Sequence, residues 1–457
     1  MGYFHSVRLE EDKCKGCTNC IKHCPTEAIR VREGKARIIQ ERCIDCGECI
    51  RICPNHAKIA VGDGLEALDA YRYRVALPAP AFVSQFAGRA DLEHILGALL
   101  TLGFDAVYEV ALAAEVVARE TRRYLDNYRG KKPLISPACP AVVGLIQVRF
   151  PSLVEQILPL VTPMDLAARL ARREGVRATG LPPEAIGTFF LSPCPAKITA
   201  GRQPQEGMAG PDGVIPLAAI YGDIRQRLAT APSCPSRAGA SGYGWGHSGG
   251  ENASIGGRRL LEVDGIHHVI EVLTQIETGD FEDIDYIEAQ ACPGGCVGGA
   301  LMVRNPYLAR LELRQLTREL PAGRVDLPDP GGSLAMAPVQ PRPALLLDAD
   351  LATALEKMRR LEATQALLPG LDCGSCGSPN CRALAEDIVR GEAQDTDCVF
   401  VLRDRVRVLA EEVVELARKL PPSMAQPERG SDNETAGNSG ASEFTGPGRG
   451  ESPGPGG

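Results

Sequence analysis

Aromatic side chains are scarce: one Trp, 10 Tyr and 10 Phe make up 5% of the chain, too few for the stacking platforms that single-stranded nucleic acid requires. An excess of positive charge is missing as well. The formal net charge is −8 over 457 residues, with no basic run or aromatic-basic stripe, which argues against a nucleic-acid partner. Met1 to Glu10 contain no apolar core and no small-residue cleavage site, so nothing there suggests export. Met1-Gly2-Tyr3-Phe4-His5-Ser6 fits a myristoylation pattern formally, but so short a match is discounted. Long apolar runs are absent too. The longest, from Ile95 to Val117, is broken by Asp105, Glu109 and Glu115, which argues against a membrane span.

Cysteine, by contrast, is plentiful: 17 residues, most in short, repeated spacings. Disulfide-dense scaffolds are typically small and secreted, so a chain of this length without an export signal points to a reducing, cytoplasmic compartment and to metal-binding thiols. At ~150 residues per domain the length suggests about three domains, and a hydrophobic fraction of 44% supports a substantial core.

Residues 14 to 24 read Cys-x2-Cys-x2-Cys-x3-Cys-Pro, and residues 43 to 53 repeat the pattern. In the bacterial two-cluster ferredoxin pattern the first three cysteines of a run hold one 4Fe–4S cluster and the fourth ligates the other. One cluster would take Cys14, Cys17, Cys20 and Cys53, and the second Cys43, Cys46, Cys49 and Cys24. Crossed ligation lets a module spanning residues 1–65 fold with little conventional core. Zinc is the competing metal, but a tetrahedral site has no use for the third cysteine and trailing proline of each run. Pro25 and Pro54 are expected to shape the turn beside each cluster.

From about Tyr71 the pattern changes to buried strands alternating with amphipathic helices. Arg74-Val75-Ala76-Leu77 and Ala106 to Val110 read as strands and Leu92 to Leu102 as a helix, which implies an α/β core. Three separate segments carry its metal-type residues: Ser136-Pro137-Ala138-Cys139-Pro140, Ser192-Pro193-Cys194-Pro195-Ala196-Lys197, and Ala291-Cys292-Pro293-Gly294-Gly295-Cys296. The glycines of the last open φ > 0 space, so its backbone can curl around a bulky group while both sulfurs face it. Each cysteine alone is compatible with a buried structural thiol. Together the segments point to one shared site.

These segments resemble, in order and separation, the three signature motifs of the [FeFe]-hydrogenase large-subunit domain, over residues 70–320. The resemblance implies that Cys139, Cys194, Cys292 and Cys296 hold the 4Fe–4S half of an H-cluster. Cys296 would bridge to a di-iron half with carbonyl, cyanide and dithiolate ligands, and Lys197 would donate to a cyanide ligand. In that family an amine of the dithiolate bridge accepts the proton when H2 is cleaved, and the cofactor carries the chemistry. This sequence departs from the pattern at Ala138, where active members have a proton-relaying Cys. A methyl group relays no proton. The relay serine of the family falls at Leu158, its acidic positions fall near Glu120, Thr121 and Tyr124, and two methionines that flank the di-iron half are replaced by Ser192 and Gln290. Sensory members of the family show similar losses.

Residues 321–343 read as a Pro/Gly linker, followed by a domain over residues 344–400. Cys373, Cys376, Cys381 and Cys398 resemble the ligands of the small 4Fe–4S domain of electron-transfer proteins such as the B component of the Rnf complex, with zinc as the alternative. Ala383 to Glu392 is expected to form a helix returning the chain to the cluster. Residues 401–420 carry a heptad stripe of Leu402, Val406, Leu409, Val413, Leu416 and Leu420, too short to decide between a homodimer through 402–420 and a helix packed on its own domain. In sensory members a PAS domain follows a comparable position; residues 421–457 read instead as a disordered tail. Cys234 lies outside every motif and reads as a structural thiol, and His247 as a loop histidine.

The expectation is therefore an iron–sulfur protein with three 4Fe–4S clusters and an H-cluster, serving as a low-turnover H2 or redox sensor. An H2-metabolising enzyme with a ferredoxin-type acceptor is the first alternative. The second is a 4Fe–4S carrier that never receives the di-iron half. Implied partners are H2 and protons, a redox carrier or signalling protein, and hydrogenase maturation proteins.

Overall fold

The computed structural model describes residues 4–204, 210–324 and 326–419. The amino-terminal module is two short antiparallel pairs around two helical turns. β1 (Val7–Leu9) pairs with the later strand Lys58–Ala60, and β2 (Ile29–Arg32) with β3 (Lys35–Ile38). Its hydrophobic cluster is small and includes Cys14, Cys20 and Cys49 among Val7, Ile21, Ile29, Ala36 and Ala57. The cysteines are thus much of the core, as a metal-stapled fold requires.

With Lys58–Ala60 as β4, the central domain is built on two parallel sheets. The first has the order β6-β5-β8-β9, from β5 (Tyr73–Pro78), β6 (Ala106–Val107), β8 (Ile186–Ser192) and β9 (Gly213–Pro216). The second has the order β10-β11-β7, from β7 (Leu134–Ile135), β10 (Leu260–Asp264) and β11 (Tyr286–Gln290). Strands β8 and β11 are buried at every position, as parallel strands covered on both faces are. Helices cover both sheets, and a core including Phe82, Phe86, Leu96, Leu99, Leu112, Phe189 and Phe190 fills the space between. Each such side chain contributes about 1.5–3 kcal/mol.

Two expected boundaries move. The strand expected over Ala106 to Val110 ends at Val107, because Val110 opens the helix Val110–Asn127 with Glu109 as its N-cap. The Glu109 carboxylate accepts from Tyr243 Oη at 2.5 Å and from Arg237 N at 2.6 Å, which holds the chain in that turn. Among its described residues the segment read as a linker has no helix, but it is strapped down: Val161 N donates to Leu334 O, Met336 N to Pro159 O and Arg342 N to Gln147 O. Leu334 and Met336 are buried.

The carboxy-terminal cysteines sit around the helix Cys381–Arg390, capped by Asn380 and ended by Gly391 at φ 79°. This module packs on the ferredoxin-like module. Asp387, buried, accepts from Arg30 Nε at 2.7 Å and Arg32 Nη2 at 2.8 Å, and removing one partner of a buried pair costs about 3–5 kcal/mol. The heptad stripe lies on the helix Val399–Arg418, with Val406, Leu409, Val413 and Leu416 exposed; Leu420 and the expected tail 421–457 lie outside the described residues. Among the described residues no helix is long and apolar enough to cross a membrane.

Candidate metal centre

The three cysteine segments each follow the carboxyl end of a parallel strand: β7 leads into Ser136–Cys139, β8 into Cys194, and β11 into Cys292. In α/β sheets this is the edge where sites form. The two Cys-Pro pairs have a common cause. Cys139 and Cys194 are the N-caps of the helices Pro140–Arg149 and Pro195–Arg202, with proline at the first helical position, where its fixed φ and missing N–H cost nothing. A helix N-terminus also favours a thiolate. Ser192 Oγ donates to Cys194 O at 2.8 Å and fixes that loop. In the third segment Gly294 and Gly295 adopt φ 75° and 96°. A Cβ on Gly295 would lie 2.4 Å from Gln290 Oε1 and 2.5 Å from Ser248 N, so only glycine fits.

Cys139, Cys194, Cys292 and Cys296 lie within electrostatic reach of one another. Burial pushes the Cys194 thiol up to about 11 and that of Cys292 up to about 12, the latter against the pull of Arg51. Four converging sulfurs, two of them this costly to ionise alone, are suited to a multiply charged metal group. Lys197 Nζ stands 3.5 Å from Cys296 Sγ. Burial opposes its charge, but thiolates at Cys296, Cys194 and Cys139 outweigh burial and raise its pKa.

Beside Cys296 and Lys197 is a mainly apolar cavity of about 50 Å³, walled by Ala138, Cys139, Thr162, Met164, Trp245, Glu251 and Gln290 among others. At ~10–15 Å³ per water it has room for roughly four. Trp245 Nε1 and Gln290 Oε1, both buried, have no hydrogen-bond partner, as befits walls that face a polar group. A diatomic-ligated metal group fits this donor set and lining. A wider pocket of about 370 Å³, also lined by Ala138, Thr162, Met164 and Lys197, adjoins it beneath the strap 336–342.

The expected relay positions do not line the cavity. Glu120 pairs with Arg119 and Arg123, Tyr124 stacks on Tyr128, Thr121 and Leu158 are buried, and His247 Nδ1 lies 2.9 Å from Ser248 O. A different carboxylate reaches the cavity, with a second one near it in the fold. Glu251 lines the cavity, accepting from Ser136 Oγ at 2.9 Å and Tyr286 Oη at 2.5 Å. Glu288 accepts from Gly249 N and Asn252 N, each at 2.9 Å, and from Gln290 Nε2 at 3.1 Å. Burial pushes Glu251 up to about 7, and burial plus Glu251 pushes Glu288 up to about 8. Glu262, exposed on β10, is the register partner of Glu288. Sequence reasoning assigned no chemistry to Glu251 or Glu288. The available signal was a carboxylate inside the otherwise buried strand sequence Tyr-Ile-Glu-Ala-Gln of β11.

In the amino-terminal module Cys14, Cys17 and Cys53 surround Cys20, whereas Cys24, Cys43 and Cys49 surround Cys46. Burial pushes Cys20 up to about 11 and Cys49 up to about 12. Cys376 lies close to Cys373 and Cys398, and Cys381 packs with them. Cys234 has only carboxylates, Glu109 and Glu93, as charged neighbours.

The family model for the iron-only hydrogenase large subunit, C-terminal domain, matches residues 72–214 and 246–300, and that for a 4Fe-4S dicluster domain matches 6–54. These matches support an [FeFe]-hydrogenase large-subunit-like family for this chain. It carries an N-terminal ferredoxin domain, and an Fe–S cluster model matches residues 368–400. This hydrogenase-like chain is 25% identical over 380 residues to the periplasmic [Fe] hydrogenase large subunit of Nitratidesulfovibrio vulgaris, covering 69% of this chain and 90% of that one. It is 23% identical over 274 residues to iron hydrogenase 1 of Clostridium pasteurianum, covering 49% and 48%. The B component of the ion-translocating oxidoreductase complex of Cereibacter sphaeroides is 46% identical over 50 residues, 11% of this chain and 27% of that protein. A solved [FeFe]-hydrogenase from Chlamydomonas reinhardtii is 16% identical with a TM-score of 0.48, covering 61% of this chain and 98% of that one.

Proposed function

We propose that this hydrogenase-like iron–sulfur protein binds an H-cluster and turns H2 over slowly, as an H2 or redox sensor. The observation that carries the reading is Ala138 in the cavity wall beside Cys139 and Lys197, where family members place a relaying thiol. Cys139, Cys194, Cys292 and Cys296 would hold the group, with Cys296 bridging its halves, and Lys197 would neutralise its negative charge. When bound, the group supplies the metal and base that split H2. The protein's part is to exclude bulk water with Met164, Trp245 and the strap, and to carry the proton away.

With no thiol at 138, the proton's resting place is the Glu251 carboxyl, which lines the cavity and holds a proton below about pH 7. Glu288 and exposed Glu262 continue outward. Carboxyls raised to about 7 and 8 both take up and release protons near neutrality, so the sensor reading rests on Ala138 and not on this route. The same route favours a second reading, a working H2-metabolising enzyme with an altered proton path. A third, the cluster-only carrier, applies where maturation proteins do not supply the di-iron half.

Electrons would travel through 4Fe–4S clusters held by the crossed sets Cys14, Cys17, Cys20, Cys53 and Cys43, Cys46, Cys49, Cys24, and by Cys373, Cys376, Cys381 and Cys398. The proposed setting is cytoplasmic, on the ground that the cysteines are arranged in metal-ligand spacings rather than as a disulfide scaffold; the N. vulgaris relative is named as periplasmic. The downstream partner is a redox carrier or signalling protein.

Anaerobic maturation, followed by infrared spectroscopy and an H2-oxidation assay on one sample, separates the readings. Carbonyl and cyanide bands with low turnover support the sensor. Bands with high turnover replace it by the enzyme, and absent bands after competent maturation favour the carrier.

A further inference from the structure

Contacts between the carboxy-terminal cysteine module and the ferredoxin domain concentrate on the loops that carry the cysteines. Lys22, between Cys20 and Cys24 in sequence, donates to the carbonyl of Asp372 and, at 3.1 Å, to that of Pro379. Arg32 Nη1 donates to the carbonyl of Cys376 itself at 3.0 Å, and Val31 N, on the free edge of β2, donates to Gly377 O at 2.8 Å. A Cβ on Gly377 would come within 2.0 Å of Val31 O, so the loop is shaped to lie on that edge. Asn380, which caps the module's helix, also donates to Glu27 Oε1 at 2.7 Å. Beneath these contacts Asp387 ties Arg30, Arg32 and Ser378 together, and Glu386 pairs with Arg42.

Other residues of the ferredoxin domain meet the hydrogenase-like domain. Arg51 Nη2 donates to Gly298 O at 2.8 Å, two residues from Cys296, and a Cβ on Gly47, next to Cys46, would touch Ala300 and Pro195. The carboxy-terminal cysteine module is therefore joined to the start of the chain, and the ferredoxin domain contacts both other cysteine sites.

We propose that the carboxy-terminal module is an electron port wired into the ferredoxin domain. This rests on the reading that its four cysteines hold a 4Fe–4S cluster. One electron leaves the reduced carboxy-terminal cluster and one oxidised ferredoxin-domain cluster gains it, with no proton transferred and no bond broken. In the reverse direction the module delivers electrons to a one-electron carrier protein, which docks where Cys373 is exposed. A tether needed only for folding would not place its backbone contacts at Asp372, Cys376 and Gly377, beside the ligands themselves.

The test uses full-length protein reconstituted anaerobically with clusters but no di-iron half. Iron analysis comes first: Cys376→Ser should lose about four irons per chain. An unchanged iron content overturns the cluster reading itself, separately from the port. In the fully reduced protein, electron paramagnetic resonance should show the carboxy-terminal cluster broadened by spin interaction with the ferredoxin-domain clusters. Asp387→Asn, with full iron content, should weaken that interaction. Stopped-flow mixing with a reduced bacterial ferredoxin should reduce the amino-terminal clusters at least tenfold more slowly in Cys376→Ser than in the parent. Lys22→Met, which leaves the Asp387 pairs intact, serves where Asp387→Asn misfolds and should slow the same step. A magnetically isolated carboxy-terminal cluster overturns the proposal. So does an unchanged reduction rate in Cys376→Ser, which would put the port at exposed Cys17 instead.

Discussion

The ferredoxin domain and the hydrogenase-like domain use cysteine in opposite ways. In the first, the cysteines form the core, and one spacing pattern carries fold and function together. In the second, an extensive conventional core supplies the fold, and four cysteines at three strand ends are added to that scaffold. A stapled module therefore announces its site, whereas a scaffolded site announces only its ligands. The groups that decide its rate belong to the cavity wall and are spread over helices and strands.

That contrast is open to attack by substitution, and the largest effect falls on the ligands. Cys296→Ser should abolish the carbonyl and cyanide bands of matured protein while leaving the ferredoxin-domain signals in electron paramagnetic resonance. Loss of both sets would mean that the two domains do not hold their clusters independently. Next comes the cavity wall. Ala138→Cys should raise H2 oxidation about tenfold at equal cofactor content, short of the ~10²–10⁴ of a full acid–base relay, because Leu158 and Tyr124 offer no onward path. No gain would show that position 138 does not limit turnover.

The smallest effect is on stability. Glu251 and Glu288 have raised carboxyl pKa values, so their contribution is fully present below the ordinary carboxylate range and is lost as pH rises through about 7 to 8. Thermal unfolding of anaerobic protein should move to lower temperature between about pH 5 and pH 8, and Glu288→Gln should flatten that slope. An unchanged slope in the variant would mean that Glu288 is not the source.

The two domains were not equally legible. The ferredoxin domain could be read from the repeated cysteine spacing, and its cysteines gather in the two groups that spacing leads one to expect. The parallel strands of the central domain were legible as buried runs, and its cysteine segments as site loops. Their real construction, cysteine as N-cap and proline as first helical residue, needs the helix that follows to be visible. The relay could not be read by register. Register from Cys139 reached Leu158, and the family's acidic positions fell near Glu120, Thr121 and Tyr124; none of these lines the cavity, to which the helix Val110–Asn127 contributes Val110. Glu251 and Glu288 escaped notice because one lies in a Gly-rich stretch and the other in a short strand, and only tertiary packing brings them together. The linker reading failed to foresee the strap for a similar reason: its anchors at Pro159, Val161 and Gln147 are remote in sequence.

The central claim is that the retained cluster site exchanges its proton through Glu251 rather than through position 138. The most direct measurement is the pH dependence of H2 oxidation for Glu251→Gln and the parent, matured to the same infrared intensity. The account predicts a fall of roughly 10²-fold, within the range for loss of an acid–base group, and disappearance of the inflection near pH 7. A variant that keeps both the rate and the inflection would contradict it.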